Sequence, residues 1–438
     1  MAMRQPILSG APARVPAAKR RTISVSFDKL ALFAGAFIVY GDAFSGALRY
    51  FYASIGIPYL SYAPFLFGLF TIVLLSLRVA MGGRHLVAVG AGWFAVIFSA
   101  LLSLWLGRGL GEVLFGLYIA IPLFLGIAVI VMGQERALYR HLSIVWLIAV
   151  VGVALDSVVD FPWYSTNFEV LGLDVQAARQ WSTFGIERLA GFSRASFAAA
   201  NQIALGCAII LCTGRGLFKK FAVFSISIGA ILLTTSKTPL VIVALLPLAL
   251  AGFKSLSLDK RSSFGLVGYQ KITIGSLLFV VVALPLVEGL ARNFISSTRY
   301  GIFQLASMFD RAGTTWPRAF ELLNFDGNPF QLVLGRGVGG IGAAQVLNER
   351  AIFNPADNLF VYLYVSIGCA SLAVAWFVFA GISKWSKYDR VGAMNLYAMS
   401  VIVVGSGIAS NVIEASILCL ALGLIVGKVF ANPEKRLS

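Results

Sequence analysis

An arginine at the start of one apolar segment carries charge where few charges are expected. Arg194 lies in Gly191-Phe-Ser-Arg-Ala-Ser-Phe, and Asn201 follows two helical turns further into the apolar segment. A guanidinium in such a place can bind a phosphate group through two parallel hydrogen bonds. These residue types therefore favour anion binding, with Arg194 and Asn201 as candidate substrate-binding residues.

A second cation, Lys237, occurs in Thr234-Thr-Ser-Lys-Thr-Pro239, between two apolar segments. Pro239 suits the first turn of the helix that follows. An ammonium group beside a helix N-terminus forms an anion site, because the free backbone N–H groups there also attract negative charge. Lys237 is thus a further candidate for binding phosphate.

The polar segment 291–357 adds cations and an aromatic ring. Arg299, Arg318 and Trp316 all lie in it, the last within Arg311-Ala-Gly-Thr-Thr-Trp316. Sugars stack on aromatic rings, and a diphosphate needs several cations. We therefore assign these three residues to substrate binding, together with Arg194, Asn201 and Lys237.

The same segment ends in Asp357-Asn358, directly before another apolar stretch. A carboxylate there could act as a general base toward a hydroxyl group. Asp357 and Asn358 are accordingly the candidate catalytic residues. A structural alternative exists for each kind of residue: Asp357 could be a helix N-cap, and interfacial arginines and lysines often only extend along apolar surface toward water.

The remaining polar residues offer no metal or cofactor site. The chain has two histidines, and its four cysteines lie in apolar segments without CxxC spacing. Gly335-Arg-Gly-Val-Gly-Gly-Ile-Gly342 contains GxGxxG, yet lacks the strand and helix of a nucleotide-binding unit. Glu414 is the one clear ionisable residue inside a predicted span, so a proton-relay chain is not evident. We expect no metal and no cofactor.

The elements that must position these residues follow from composition. The chain is 59% hydrophobic and 12% charged, whereas a soluble domain has roughly 25% charged residues. Apolar stretches of about 20 residues recur, each long enough to cross a bilayer. The net charge of +16 is not gathered into a basic face, which argues against a nucleic-acid partner. The expected fold is an all-α polytopic membrane protein, with the lipid bilayer as a partner.

We predict about 12 transmembrane helices in a single integral membrane domain, 29–438, preceded by a disordered basic cytoplasmic tail, 1–28. Loops 160–194 and 291–357 are expected to face the periplasm, the larger one between spans nine and ten. The spans are 30–48, 59–79, 86–106, 113–132, 142–159, 196–213, 219–234, 238–253, 272–290, 358–381, 392–409 and 411–430.

Lysine and arginine set the expected orientation, because cytoplasmic loops hold the excess of positive charge. With both termini in the cytoplasm, the inside connections contain basic residues throughout, among them Arg78, Arg136, Lys219, Lys254 and Arg390. The predicted location is the bacterial inner membrane.

The order of these motifs resembles the O-antigen ligase and Wzy-type polymerase superfamily over roughly 194–382. The resemblance implies a membrane glycosyltransferase acting on an undecaprenyl-diphosphate-linked oligosaccharide, with flippase and chain-length or export proteins as partners. Two positions depart from the family pattern: Lys237 replaces an arginine and loses its paired hydrogen bonds, and Asp357 replaces the histidine of the ligases. The second departure favours a polymerase of secreted polysaccharide, similar to those for xanthan or succinoglycan.

Two alternatives stay open. A ligase would attach finished glycan to a lipid or protein acceptor. A secondary transporter or lipid-linked glycan flippase would also have about twelve spans, but paired halves with broken helices in matching places would be expected, and no clear repeat is visible in the sequence.

Overall fold

The computed structural model describes residues 27–81, 86–170, 173–183, 186–258, 263–287, 306–385 and 389–430. Most of the predicted tail 1–28 and all of Arg299 lie outside these ranges. The described chain is almost entirely helical, as its apolar composition requires, because backbone groups in lipid must find their hydrogen-bond partners within the same segment.

The first part of the bundle consists of α1 (Phe27–Ala43), α2 (Ser45–Ser54), α3 (Ala63–Met81), α4 (Leu86–Trp105), α5 (Leu110–Val131), α6 (Glu135–Asp156), α7 (Ser196–Thr213), α8 (Leu217–Leu233), α9 (Lys237–Leu258) and α10 (Ser263–Leu286). Between α6 and α7 lie two antiparallel hairpins, β1 (Asn167–Val170) with β2 (Leu173–Gln176), and β3 (Ser182–Thr183) with β4 (Ile186–Glu187).

The second part begins with α11 (Ala306–Asp310), which continues through a π-helical turn, Arg311–Thr315, into α12 (Trp316–Phe325). It then holds α13 (Gln331–Leu334), α14 (Leu359–Ile367), α15 (Ala370–Trp385), α16 (Arg390–Ser406) and α17 (Ser416–Phe430).

All twelve apolar segments identified in the sequence contain helix. Within the described ranges, six helices are long and apolar enough to cross a membrane: α3, α5, α6, α7, α9 and α10. The pair α1 and α2 would be a seventh, with a bend of 83° between its halves. Shorter apolar helices occupy α4, α15, α16 and α17. The chain is thus a helical protein whose apolar helices suit a membrane.

Three predicted spans are bent, broken or begin late in the structure. The first stops at Ala43, where the chain bends into α2, rather than at 48. The tenth is broken at Gly368 (φ 58°), which lies against the backbone of Val333. The twelfth begins at Ser416, so Glu414 lies in the connection before the helix and not inside a span.

The interior is built on close helix contacts. α7 packs against α6, α8, α9 and α16 and is buried on nearly all sides. α5 and α17 approach each other at Gly126 and Gly423, where an added Cβ would collide with the partner backbone. Small residues at a crossing let two backbones come close. In lipid the hydrophobic effect does not drive helices together, so this close packing supplies much of the energy of their association.

The two ends of the bundle have different character. At one end, Lys428 donates to Glu135 over 2.9 Å and Arg136 pairs with Asp389 over 3.0 Å. The connection between α6 and α7 and the segment 306–358 lie at the opposite end, which we call the loop end. The two regions predicted to form long loops therefore share one end of the bundle.

Four charged residues fasten the segment 306–358 to the helices. Arg336, which has no exposed surface, pairs with Glu349 at 2.9 Å and with Asp326 at 3.4 Å. Arg108, between α4 and α5, pairs with the same two carboxylates. Paired in this way, the charges compensate one another's loss of water. Arg336 of the glycine-rich segment thus has a structural role.

Candidate functional site

The backbone around Arg194 is fixed by its neighbours on both sides. The N–H of Arg194 donates to Ser45 Oγ at 2.9 Å, and its carbonyl oxygen accepts from the N–H of Arg179 at 2.7 Å. Gly46 lies so close that an added Cβ would stand 2.7 Å from the Ser193 carbonyl oxygen. The bend between α1 and α2 therefore brings residues 45 and 46 against the start of α7.

A second anchor holds the loop before Arg194. Asp156 Oδ2, at the end of α6, accepts hydrogen bonds from the hydroxyl of Tyr164 at 2.5 Å and from the N–H groups of Ala190 and Gly191 at 2.9 and 2.8 Å. Charge-assisted hydrogen bonds of this kind are stronger than neutral ones. The conformation of the segment that carries Arg194 is consequently determined on both flanks.

Three arginines lie near one another at this place. Arg49 on α2, Arg179 after the first hairpin and Arg194 lie close enough for their charges to affect one another. Burial, and next to it the positive charges of Arg49 and Arg179, lower the pKa of Arg194 well below its usual value. An arginine nevertheless keeps its proton in a protein, so the repulsion persists until an anion relieves it. We call these residues the arginine cluster.

The arginine cluster has unused hydrogen-bonding capacity. Among the described residues, no group accepts from the buried Nε of Arg194. Tyr62 and Tyr118, whose ring centroids are 5.7 Å apart, lie near Arg49 and Arg194. A buried donor without an acceptor is costly, and an incoming phosphate oxygen would satisfy it.

Glu414 faces the arginine cluster from the connection between α16 and α17. Its Oε1 accepts the N–H of Ala343 at 2.6 Å, which ties the carboxylate to the segment 306–358. Burial raises the pKa of Glu414 to about 7; the Ala343 hydrogen bond and the charges of Arg179 and Arg194 oppose the rise, while Asp357 adds to it. Glu414 is therefore a carboxyl group that can exchange a proton near neutral pH.

Asp357 completes the acidic side of the site. Its Oδ2 accepts from Arg311 Nε at 3.1 Å, and its side chain is 35% exposed. Ala356 and Asp357 both have positive φ, 62° and 32°, a backbone region that residues with a Cβ rarely occupy. Such strain persists only where the surroundings impose it, and it clusters at functional sites.

Asn358 holds the backbone of the preceding residues in this conformation. It is fully buried, its Oδ1 caps α14 by accepting from Val361 N–H at 3.0 Å, and its Nδ2 donates to the carbonyl oxygens of Val281 and Ile408, both at 3.1 Å. With its amide engaged on both atoms, Asn358 acts on Asp357 by holding the backbone. The helix N-cap considered for Asp357 is thus formed by Asn358 instead.

The other predicted substrate residues are more dispersed. Asn201 is buried on α7, and no described residue hydrogen-bonds to its Oδ1. Lys237 is exposed at the first residue of α9, and Arg318 is exposed on α12. Arg299 lies outside the described residues. Among the described residues, Asn201 and Arg318 form no hydrogen bond or ion pair with the arginine cluster.

Trp316 requires a correction. We expected its ring to offer an exposed stacking platform, but it has no exposed surface and belongs to the apolar core. The apolar face of the short helix α12 buries it, together with Ala319 and Leu323, against the bundle. Its ring cannot stack on a sugar in this arrangement, and we leave it out of the site.

Sequence reasoning missed most of the cluster. Arg49, on α2, and Arg179, in the connection between α6 and α7, are not distinguished in the sequence from other arginines, and Glu414 falls within a predicted span. The one usable signal was their position: both arginines lie in stretches predicted to be outside, where positive charge is disfavoured. Among the described residues, no three histidine, cysteine, aspartate or glutamate side chains gather as a metal site would require.

Fold and site together describe a helical protein with apolar helices suited to a membrane and a group of arginines facing two carboxylates at one end. The chain matches no protein-family model, no curated protein and no solved structure.

Proposed function

We propose that the protein polymerises lipid-linked oligosaccharide repeats in bacterial exopolysaccharide biosynthesis, on the periplasmic face of the inner membrane. The observation that carries the proposal is the arginine cluster, Arg49, Arg179 and Arg194, facing Glu414 at the loop end. Several cations with unused donors suit a diphosphate, and a carboxyl group with a pKa of about 7 suits a proton acceptor.

In the proposed reaction, the arginine cluster binds the diphosphate of the donor, with the lipid between helices. A hydroxyl of the acceptor repeat attacks the anomeric carbon. The new C–O bond forms as the bond from that carbon to the diphosphate oxygen breaks, and Glu414 takes the hydroxyl proton. The arginines stabilise the negative charge that develops on the leaving diphosphate. The growing chain thereby passes to the incoming repeat.

Asp357 then has an orienting role. Its ion pair with Arg311, at 3.1 Å, holds the carboxylate in one orientation. The strained backbone fixed by Asn358 limits the movement of Asp357. A carboxylate held in this way can accept a hydrogen bond from a sugar hydroxyl and align it. Lys237, Arg299 and Arg318 remain candidates for binding more distant parts of the substrate.

Orientation and number of spans belong to the same proposal. We infer twelve crossings, with both termini in the cytoplasm and the loop end in the periplasm, next to proteins for flipping, chain-length control and export. The end that carries Glu135, Arg136, Asp389 and Lys428 would then face the cytoplasm. Basic residues in the short connections at that end agree with this orientation.

The size distribution of secreted polysaccharide tests the proposal. A strain lacking the protein is complemented with wild type, Arg194→Ala or Arg215→Ala, the last an exposed arginine between α7 and α8. We expect Arg194→Ala, at normal membrane abundance, to give single repeats on the lipid carrier and no long polymer, and Arg215→Ala to behave as wild type.

Other outcomes identify the alternatives. Long polymer that is made but remains unattached would identify a ligase. An unchanged glycan profile in the deletion strain would overturn glycan chemistry altogether and favour a transporter. Full polymer length with Arg194→Ala would remove the arginine cluster from the reaction.

A further inference from the structure

An exposed indole stands beside the arginine cluster. Trp181 is 39% exposed. Its ring stacks on Phe197, in the first turn of α7, with a centroid separation of 6.0 Å and an interplanar angle of 25°. Phe197 therefore supports the ring on one side, and part of the indole remains exposed.

Two guanidinium groups flank this indole. The Cζ atoms of Arg179 and Arg188 lie 5.7 and 5.6 Å from the ring centroid. The β3–β4 hairpin explains the geometry: Ser182 pairs with Glu187, and the Arg188 N–H donates to the Trp181 carbonyl oxygen at 2.9 Å. The two residues at the base of the hairpin are thus side by side.

The flanking arginines still have donors to offer. Arg188 Nε is buried, and none of the described residues accepts a hydrogen bond from it. Burial and the nearby positive charge of Arg311 lower the pKa of the Arg188 guanidinium. Both observations indicate that Arg188 gains from a polar ligand at this place.

The position of Trp181 links the two halves of the site. Arg179 on one side interacts with Arg194 and Glu414, and Arg188 on the other interacts with Arg311, the partner of Asp357. A molecule lying on the indole would therefore extend from the arginine cluster toward the orienting carboxylate.

We propose that Trp181, with Arg179 and Arg188, binds a sugar ring of the lipid-linked repeat, next to the diphosphate. The exposed part of the indole, beside the two guanidinium groups, takes the apolar C–H face of a pyranose, and the guanidinium groups donate hydrogen bonds to the ring substituents of the sugar. This subsite rests on the proposed function and adds what that function leaves open: a contact that distinguishes glycosylated carrier from bare carrier.

Binding to the purified full-length protein in nanodiscs tests the subsite. The two probes are the lipid-linked repeat, extracted from cells lacking the protein, and undecaprenyl diphosphate without sugar. We expect Trp181→Ala to weaken binding of the lipid-linked repeat by about three- to tenfold, the range that aromatic contacts supply, and to leave binding of the bare diphosphate unchanged. Trp181→Phe keeps a stacking ring and should retain most of the affinity.

The control is Trp376→Ala, because Trp376 is also exposed, at 65%, and also lies beside a phenylalanine, at 6.4 Å, but on α15. Equal binding of the lipid-linked repeat by wild type and Trp181→Ala would overturn the subsite. A bare diphosphate that binds Arg194→Ala as tightly as wild type would instead contradict the proposed diphosphate site, so that the two failures are distinguishable. Equal weakening of both probes by Trp181→Ala would mean that the indole only supports the arginines.

Discussion

The N–H of Arg179 donates a hydrogen bond of 2.7 Å to the carbonyl oxygen of Arg194. The loop between α6 and α7 is thereby folded back on itself, and two guanidinium groups that would repel each other in water are held together. A third, Arg49, joins them from α2. The positive charges of Arg49 and Arg179 act against the charge of Arg194, and a bound anion would relieve that repulsion.

The variant Arg194→Lys tests whether the positive charge at position 194 is sufficient without the hydrogen-bonding geometry of a guanidinium group. Lysine keeps the positive charge but cannot form two parallel hydrogen bonds with a phosphate. We expect the rate of polymer formation on extracted lipid-linked repeat to fall by roughly 10²-fold, the lower range for removal of one donor to a developing oxyanion. Arg350, which is exposed in the segment 306–358, gives the control Arg350→Ala, which should be fully active. A wild-type rate with Arg194→Lys would mean that charge alone suffices.

The raised pKa of Glu414 predicts that the polymerisation rate increases with pH. Its pKa is raised to about 7, chiefly by burial. As a proton acceptor it must be deprotonated, so the polymerisation rate should rise with pH through about 7 and then level off. Glu414→Gln should lower the rate and remove this rise, since glutamine cannot take the proton. The rate is measured between pH 5.5 and pH 8.5, a range chosen to bracket that pKa.

The matched control for Glu414→Gln is Glu321→Gln, an exposed carboxylate on α12. It should leave both the rate and its pH profile unchanged. If Glu414→Gln kept the rise near pH 7, the proton acceptor would be another group, and Asp357→Asn would be the next variant to measure.

The helices could be predicted from the sequence, whereas the site could not. An apolar stretch of about 20 residues must become helix in lipid, whatever its neighbours are, and each of the twelve such stretches contains helix. The bend after Ala43 depends on contact with Phe192 and Ser193, which are far along the chain. The sequence around Ala43 therefore does not predict it. The order of helices alone cannot bring Arg49 to Arg194.

The misassigned tryptophan has the same cause. Trp316 and Trp181 both lie in polar stretches between apolar segments, and nothing in their immediate sequence separates them. Tertiary packing decides: the first turn of α12 buries Trp316 in the core, and the β3–β4 hairpin leaves Trp181 at 39% exposure. Arg194 stands out in the sequence because a cation at the predicted outer end of an apolar helix is unusual.

The four charges that fasten the segment 306–358 give a prediction for stability. Burial would raise the pKa of Glu349 and Asp326, but hydrogen bonds and the charges of Arg336 and Arg108 outweigh it, so that both are lowered. A lowered pKa in the folded state means that the stabilisation is present at neutral pH and is lost as pH falls through the folded pKa. Thermal stability should therefore decrease under acid conditions.

Arg336→Ala tests this arrangement directly. It leaves two carboxylates with one arginine, and removing one partner of a buried ion pair costs about 3–5 kcal/mol. We expect a lower melting temperature in detergent and faster proteolysis within 306–358. Arg350→Ala again serves as the control, because Arg350 is exposed. A melting temperature equal to that of wild type would contradict the fastening role.

Two glycines of the same segment offer a final comparison. Gly339 has φ 88°, and an added Cβ would collide with the Glu112 backbone on α5, whereas Gly327 has φ 65° and open space around it. Gly327→Ala should therefore cost only the left-handed backbone penalty, about 1–2 kcal/mol. Gly339→Ala adds a steric conflict and should be markedly less stable, with the loop displaced from α5. Because Ala343, which holds Glu414, follows Gly339 closely, polymer formation should fall with Gly339→Ala and be retained with Gly327→Ala. Equal melting temperatures for the two variants would show that the glycine-rich segment does not rest on α5.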